Sequence, residues 1–348
     1  MPSLNPLSRR PKSLKLVWQA RVSDHVIALA WSPDRAHLAA AEVSGQICLF
    51  EAKTGALVKA WPGHGFGTTS VSWHPTKGTL LASSGQDGNV AIWDVSSSDT
   101  NPTQTLPAGS PWVTKTEWSP DGQYLSAAAG KHIRLWDASG KLVREYPEHV
   151  STVSDIQWKP KSQLFASSCY SRLQVWTPED DEPRQTFEWK GSILRLDWSP
   201  DGRYISTGDQ DSTVHFWIIK TGKDLMMSGY ANKVQELSWD CTSRYLATGG
   251  GEVPCVWDCS GKGPAGTTPY QLEAHEEKVT ALAYQHRGKY LASGGLDGLV
   301  ALWQPEYRQT PLAKFQTKSS ISQLAWSHAD TSLAVGTDSG EVFLLRAI

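Results

Sequence analysis

The chain has 348 residues, 39 % of them hydrophobic, and its 33 basic and 35 acidic residues nearly cancel to a formal net charge of −2. That balance excludes the global field that would draw the protein to nucleic acid or anionic lipid. No stretch approaches the roughly 18 consecutive apolar residues of a membrane-spanning helix.

From the N-terminus, MPSLNPLSRRPK (Met1–Lys12) is Pro-rich and basic without an apolar segment, and reads as a disordered arm rather than a secretory signal. SLKLVWQ (Ser13–Gln19) follows as a first strand. Then one pattern recurs eight times: an apolar strand ending in an aromatic, a polar turn, a small-residue strand, a second anchor. The first anchors are Trp31, Trp73, Trp118, Trp158, Trp198, Trp239, Tyr284 and Trp326, at intervals of 42, 45, 40, 40, 41, 45 and 42 residues. The second are Phe50, Trp93, Trp136, Trp176, Trp217, Trp257, Trp303 and Leu345. Within a period, alternating runs such as Ser151–Trp158 and His132–Trp136 read as short strands bounded by turns of the Pro-Asp-Gly kind. A four-stranded sheet cannot bury both faces alone; stacking such sheets radially and closing the ring does so while leaving only short edges.

The best-preserved copies read EWSPDGQYLS (Glu117–Ser126), LASSGQDGNVAIWD (Leu81–Asp94) and LASGGLDGLVALW (Leu291–Trp303). Period and wording resemble the WD-repeat family over residues 13–348, which implies an all-β propeller forming a single domain. Anchor counting gives eight four-stranded blades, with seven as the alternative. The last unit has no fourth strand after Gly340–Ile348, so Ser13–Gln19 is expected to complete it and close the ring.

The resemblance also assigns buried hydrogen-bonded sets: His64, Ser83, Asp87 and Trp93 in unit two, and His275, Ser293, Asp297 and Trp303 in unit seven. A His-Asp-Ser trio invites a hydrolase reading. Its recurrence with the period makes it structural, because buried polar groups need partners. Elsewhere the set is degraded: unit five keeps Thr207, Asp211 and Trp217, with Lys190-Gly191 in place of the His dipeptide, and unit four keeps His149 but has Tyr170-Ser171 at the Asp turn. No catalytic, cofactor or metal residues are expected. HEEKV (His275–Val279) lacks a second His, GHGFG (Gly63–Gly67) opens no helix, and Cys241 and Cys259 are separated by a middle strand, about 10 Å at the usual strand spacing. Five cysteines without paired spacing and no Asn-x-Ser/Thr sequon fit a reducing cytoplasm.

Function is therefore sought on the surface. Three positions before the first anchor, units three to six carry Lys115, Asp155, Arg195 and Glu236, alternating in sign, whereas units one, two, seven and eight carry Ala28, Ser70, Ala281 and Gln323. An inter-blade ion-pair ladder explains this; a channel sector for a charged peptide or ligand is the alternative. In the family the loops entering each inner strand and those joining the second and third strands share a partner-binding face. By position, Trp112, Tyr170, Gln86, Gln210, Lys233, Lys278 and Leu296 lie there, with Trp112 and Tyr170 as the candidate hot spots. The expected function is a non-enzymatic, monomeric scaffold binding other proteins or peptides; the alternative is a ligand-, metal-binding or catalytic propeller using the polar channel.

Overall fold

The computed structural model describes residues 10–348, and every regular element among them is a β-strand. No helix is long and apolar enough to cross a membrane among those residues. The strands form seven hydrogen-bonded sheets, six of four strands and one of six, so counted as continuous sheets the ring has the seven members of the alternative expectation.

The six-stranded sheet contains two repeat units. Its strand Phe165–Trp176 pairs with Asp155–Trp158 through residues 165–168 and with the next strand through residues 172–175. The Trp176 Nε1 donates to Ser167 Oγ at 2.8 Å; an extended strand would hold residues nine apart at about 30 Å, so the chain folds back at Tyr170-Ser171, where Ser171 has φ +66°. The strand Gln185–Trp198 then serves twice. Residues 185–188 are the outer edge of unit four, and residues 193–198 pair with Tyr204–Asp209 as the inner strand of unit five. Counted by inner strands, the ring has the eight four-stranded units read from the anchors.

Hydrogen bonds cross all eight seams. Trp31, Trp73, Trp158, Trp198 and Trp326 each donate Nε1 to the carbonyl one residue before the first anchor of the preceding unit, at 3.0 to 3.1 Å. Trp239 reaches Ser206 Oγ at 3.1 Å. At the other two seams the backbone takes over: Trp118 N donates to Ser72 Oγ and Tyr284 N to Ser238 Oγ. The anchor aromatics thus do two jobs, filling the inter-sheet core and stitching each unit to its predecessor.

Closure is by strand addition. Leu14–Arg21 runs antiparallel to Glu341–Ala347 with seven paired positions, and Trp18 is buried against Phe50 of unit one, its Nε1 donating to the Ala52 carbonyl at 3.0 Å. The expected arm over residues 1–12 is only partly within the described residues, 1–9 lying outside them. Residues 10–12 are docked rather than loose: the Arg10 guanidinium lies 3.6 Å over the Tyr307 ring, Pro11 is buried, and Lys12 N donates to the Ile348 carbonyl. The edge ladder continues past the strand, and the cation finds an aromatic face.

Candidate interaction face and central channel

The two family-type sets assemble from strand geometry. In unit two His64 precedes the inner strand, Ser83 sits mid-way along the second strand, Asp87 occupies the following turn and Trp93 lies on the third strand. His64 Nδ1 is 3.0 Å from Asp87 Oδ1 and Nε2 2.7 Å from Ser83 Oγ, which also accepts from Trp93 Nε1 at 2.7 Å. Unit seven repeats this with His275, Asp297, Ser293 and Trp303 at 3.2, 2.7 and 2.8 Å. Both serine hydroxyls are buried and doubly engaged, so neither is presented to a substrate.

The degraded units substitute their own partners. In unit four His149 Nε2 and Trp176 Nε1 share Ser167 Oγ, with no carboxylate; burial lowers the His149 imidazole to about 4. In unit six Tyr230 stands where His would, its hydroxyl accepting from Trp257 Nε1 at 2.8 Å and contacting Thr248 Oγ1 at 2.9 Å. Unit five corrects the expectation for Asp211. That carboxylate accepts from Thr213 within its own turn, while the residue beside Thr207 is Asp209, fully buried and pushed up to about 7 by desolvation. Trp189, nine residues before the Trp198 anchor, packs 3.9 Å from the His215 ring.

In the channel, Lys115 Nζ lies 2.8 Å from Asp155 Oδ1, and Arg195 Nε 3.5 Å from Asp155 Oδ2, whose second bond is to Leu196 N. Burial alone would raise Asp155, but the two cations outweigh it and hold the carboxyl below its ordinary value. The alternation does not run on to a contact between Arg195 and Glu236; Glu236 pairs instead with Lys278, at 3.5 Å. Further along the channel burial pushes Glu117 up to about 7 and Asp197 up to about 6. At the loop end a cavity of about 500 Å³ is lined by Lys115, Arg195 and Glu236 on one side and Ala28, Ser70 and Ala281 on the other.

The loop face carries the expected residues unevenly. Trp112 and Tyr170 are 56 % and 52 % exposed and occupy adjacent units, three and four. Leu296, Gln210 and Lys233 are exposed, whereas Gln86 is half-buried and Lys278 is spent on Glu236. Backbone bonds from Gln86 N to Gly67 O and from Leu296 N to Lys278 O tie each turn to the loop entering the same unit, giving the face a fixed relief. Phe66 was not singled out by its sequence position, yet it is 87 % exposed in the loop entering unit two. The signal available was an aromatic between two glycines, outside either anchor position. Phe66 and Trp112 both hold left-handed backbone, φ +67° and +71°, which costs a non-glycine residue on the order of 1 kcal/mol.

All five cysteines are free. Cys241 Sγ donates to the Gly288 carbonyl of the next unit at 3.4 Å, and Cys259 is buried.

A closed ring of radial sheets with structural polar sets, a charged channel sector and an aromatic-bearing loop face defines a β-propeller of the repeat-built kind. The family model for WD40 (WD domain, G-beta repeat) matches residues 55–94, 100–137, 140–177, 181–217 and 266–304, more than half of the chain, and the protein belongs to that family. The five matches end at the third strands of units two, three, four, five and seven; unit eight and the inner three strands of units one and six fall outside them. Protein groucho of Drosophila melanogaster is 26 % identical over 274 residues, covering 78 % of this chain and 31 % of its own length. The chain therefore spans about a third of that relative. The crystal structure of the computationally designed Ika8 protein superposes with a TM-score of 0.80 over 97 % of this chain and 100 % of its own, at 21 % identity, a likeness of fold.

Proposed function

We propose that this propeller is a non-enzymatic scaffold that binds another protein or peptide through its loop face. The observation that carries the reading is the gathering on that face of exposed apolar side chains, Val43, Phe66, Trp112, Val150, Tyr170 and Leu296, two of them aromatic residues in strained backbone. Strain of that kind persists where function is served by the side chain's position, and rigid aromatics are the usual anchors of interfaces. Membership of the WD40 family, a typical protein-interaction scaffold family, points the same way. The two His-Asp-Ser sets support a structural rather than catalytic role because their hydroxyls are buried and already bonded.

We further propose a monomer with protein partners rather than nucleic acid, resident in the cytoplasm; the balanced charge and the five free thiols support this. The test is crosslinked capture from a cell extract with the wild-type chain as bait beside Trp112→Ala with Tyr170→Ala. Loss of the same captured proteins from the variant supports the reading. Retention of every one overturns the assignment of the face.

A further inference from the structure

On the face opposite the loops the channel opens into a cavity of about 670 Å³. Its walls come from the uncharged sector that the ion pairs leave unexplained: Trp31, Trp73 and Trp326 with Tyr284, backed by small and aliphatic residues of the same inner strands. The three indole N–H groups are already committed to carbonyls of Ala325, Ala30 and Ala283 in the seams, and the rings are largely buried there, so what each presents to the cavity is a carbon edge. Glu117 and Asp197 belong to units three and five and are absent from the lining.

Of Lys, Arg, Asp and Glu, the lining holds two arginines. Arg35 and Arg287 line the cavity, and among the described residues neither guanidinium makes an ion pair or a side-chain hydrogen bond. By contrast, Arg134, Arg203 and Arg244 each pair with a carboxylate. The nearby carboxylates are spent elsewhere. Asp330 accepts from the backbone N–H of His286, Arg287 and Gly288 at 2.8, 2.7 and 3.0 Å, pinning the turn that presents Arg287. Asp34 accepts from Ser32 Oγ and Ala36 N within its own turn. His286 and His328 also line the cavity, their ring centroids 5.3 Å apart, and His286 Nδ1 lies 3.2 Å from Asp330 Oδ1; burial, then His286, lowers the His328 imidazole, leaving it a neutral hydrogen-bonding group.

We propose that this cavity is a binding site for a small organic anion, a carboxylate on an aromatic or aliphatic body. The body lies against Trp31, Trp73 and Trp326, and the carboxylate is held by Arg35 and Arg287. The volume falls within the roughly 300–1,000 Å³ of small-molecule sites, and a guanidinium fork matches a carboxylate's two oxygens. The site is independent of the loop-face reading and lies on the other side of the ring.

The probes are 1-naphthoate and its uncharged twin 1-naphthamide, titrated calorimetrically into the full chain. Naphthoate is expected to bind at least tenfold more tightly than the amide. Arg35→Met with Arg287→Met should erase that difference while leaving the amide's affinity and the melting temperature unchanged. Ala325→Phe, which fills the cavity, should weaken both ligands; should that variant fail to fold, the arginine pair still decides. Equal affinity for the two probes, naphthoate binding indifferent to the arginine pair, or no binding up to about 1 mM, a Kd worth only about 4 kcal/mol, overturns the proposal. None of these outcomes bears on capture of a protein by the loop face.

Discussion

Removing the closing strand is the sharpest perturbation of the ring. Deleting residues 1–22 takes away seven paired positions along Glu341–Ala347 and, besides Pro11, three buried apolar side chains, Leu14, Trp18 and Val22. At about 1.5–3 kcal/mol per fully buried large side chain, the apolar loss alone is about 5–9 kcal/mol, an upper figure because the unfolded chain is itself partly compact. The unpaired edge regains water for its backbone groups, so those bonds add little net. A loss of that size rivals the whole stability of a typical domain, about 5–15 kcal/mol. The deletion should therefore unfold the chain or open the last unit, whereas deletion of residues 1–9 removes none of the described contacts. Urea unfolding followed by tryptophan fluorescence compares the two, with Trp18→Ala between them at about 3–5 kcal/mol. A synthetic peptide of residues 10–22 should restore the longer deletion in trans. Matching urea midpoints for both truncations would refute closure by this strand.

His275→Ala should cost about 1–3 kcal/mol by leaving Asp297 and Ser293 short of a partner, read as a lower melting temperature; a parent-like melt would sink the structural assignment. His149 makes a pH prediction: its folded pKa, about 4, lies below the unfolded value of about 6.5. The unfolded chain therefore takes up a proton that the folded chain refuses, and stability falls as pH drops from about 6.5 through about 4, by about 3 kcal/mol in all. His149→Gln should flatten that part of the pH profile of unfolding, and parallel profiles would contradict it. On the loop face, Phe66→Ala added to Trp112→Ala and Tyr170→Ala should weaken a captured partner by about 2 kcal/mol or more without moving the melting temperature. Lys77→Ala with Lys161→Ala, in first-to-second-strand turns on the opposite face, is the control; the reverse pattern would put the partner there.

Much of this architecture was legible in the chain because the repeat is local. Each aromatic anchor, each turn and the two complete His-Ser-Asp-Trp sets recur at fixed offsets within one unit, so the family's pattern, matched by position, implies that Ser83 meets His64 and Ser293 meets His275. Even closure could be read, since a last unit short of one strand and a spare strand at the other end need each other.

What spacing could not supply was set by contacts between units and by backbone handedness. Asp211 has the right sequence offset, yet Asp209 is the buried acid: it stands where unit two has Gly85, against which His64 packs with no room for a side chain, and unit five has no such His. Tyr230 takes over the hydrogen bond of an absent His through a hydroxyl that no offset rule anticipates. Alternating charges suggested that Arg195 would meet Glu236; the ring brings Lys278 closer. The merging of units four and five into one sheet follows from pairing that stays unbroken past the fold-back at Tyr170-Ser171, where Tyr170 pairs with Ser192. Sequence by itself determined the repeat, its anchors and its closing strand, since these depend on periodicity and on satisfying each unit's own polar groups. Only the tertiary structure decided which loop aromatics stand clear of the surface and that Arg35 and Arg287 come to line one cavity, because both depend on neighbours some 40 or more residues away along the chain.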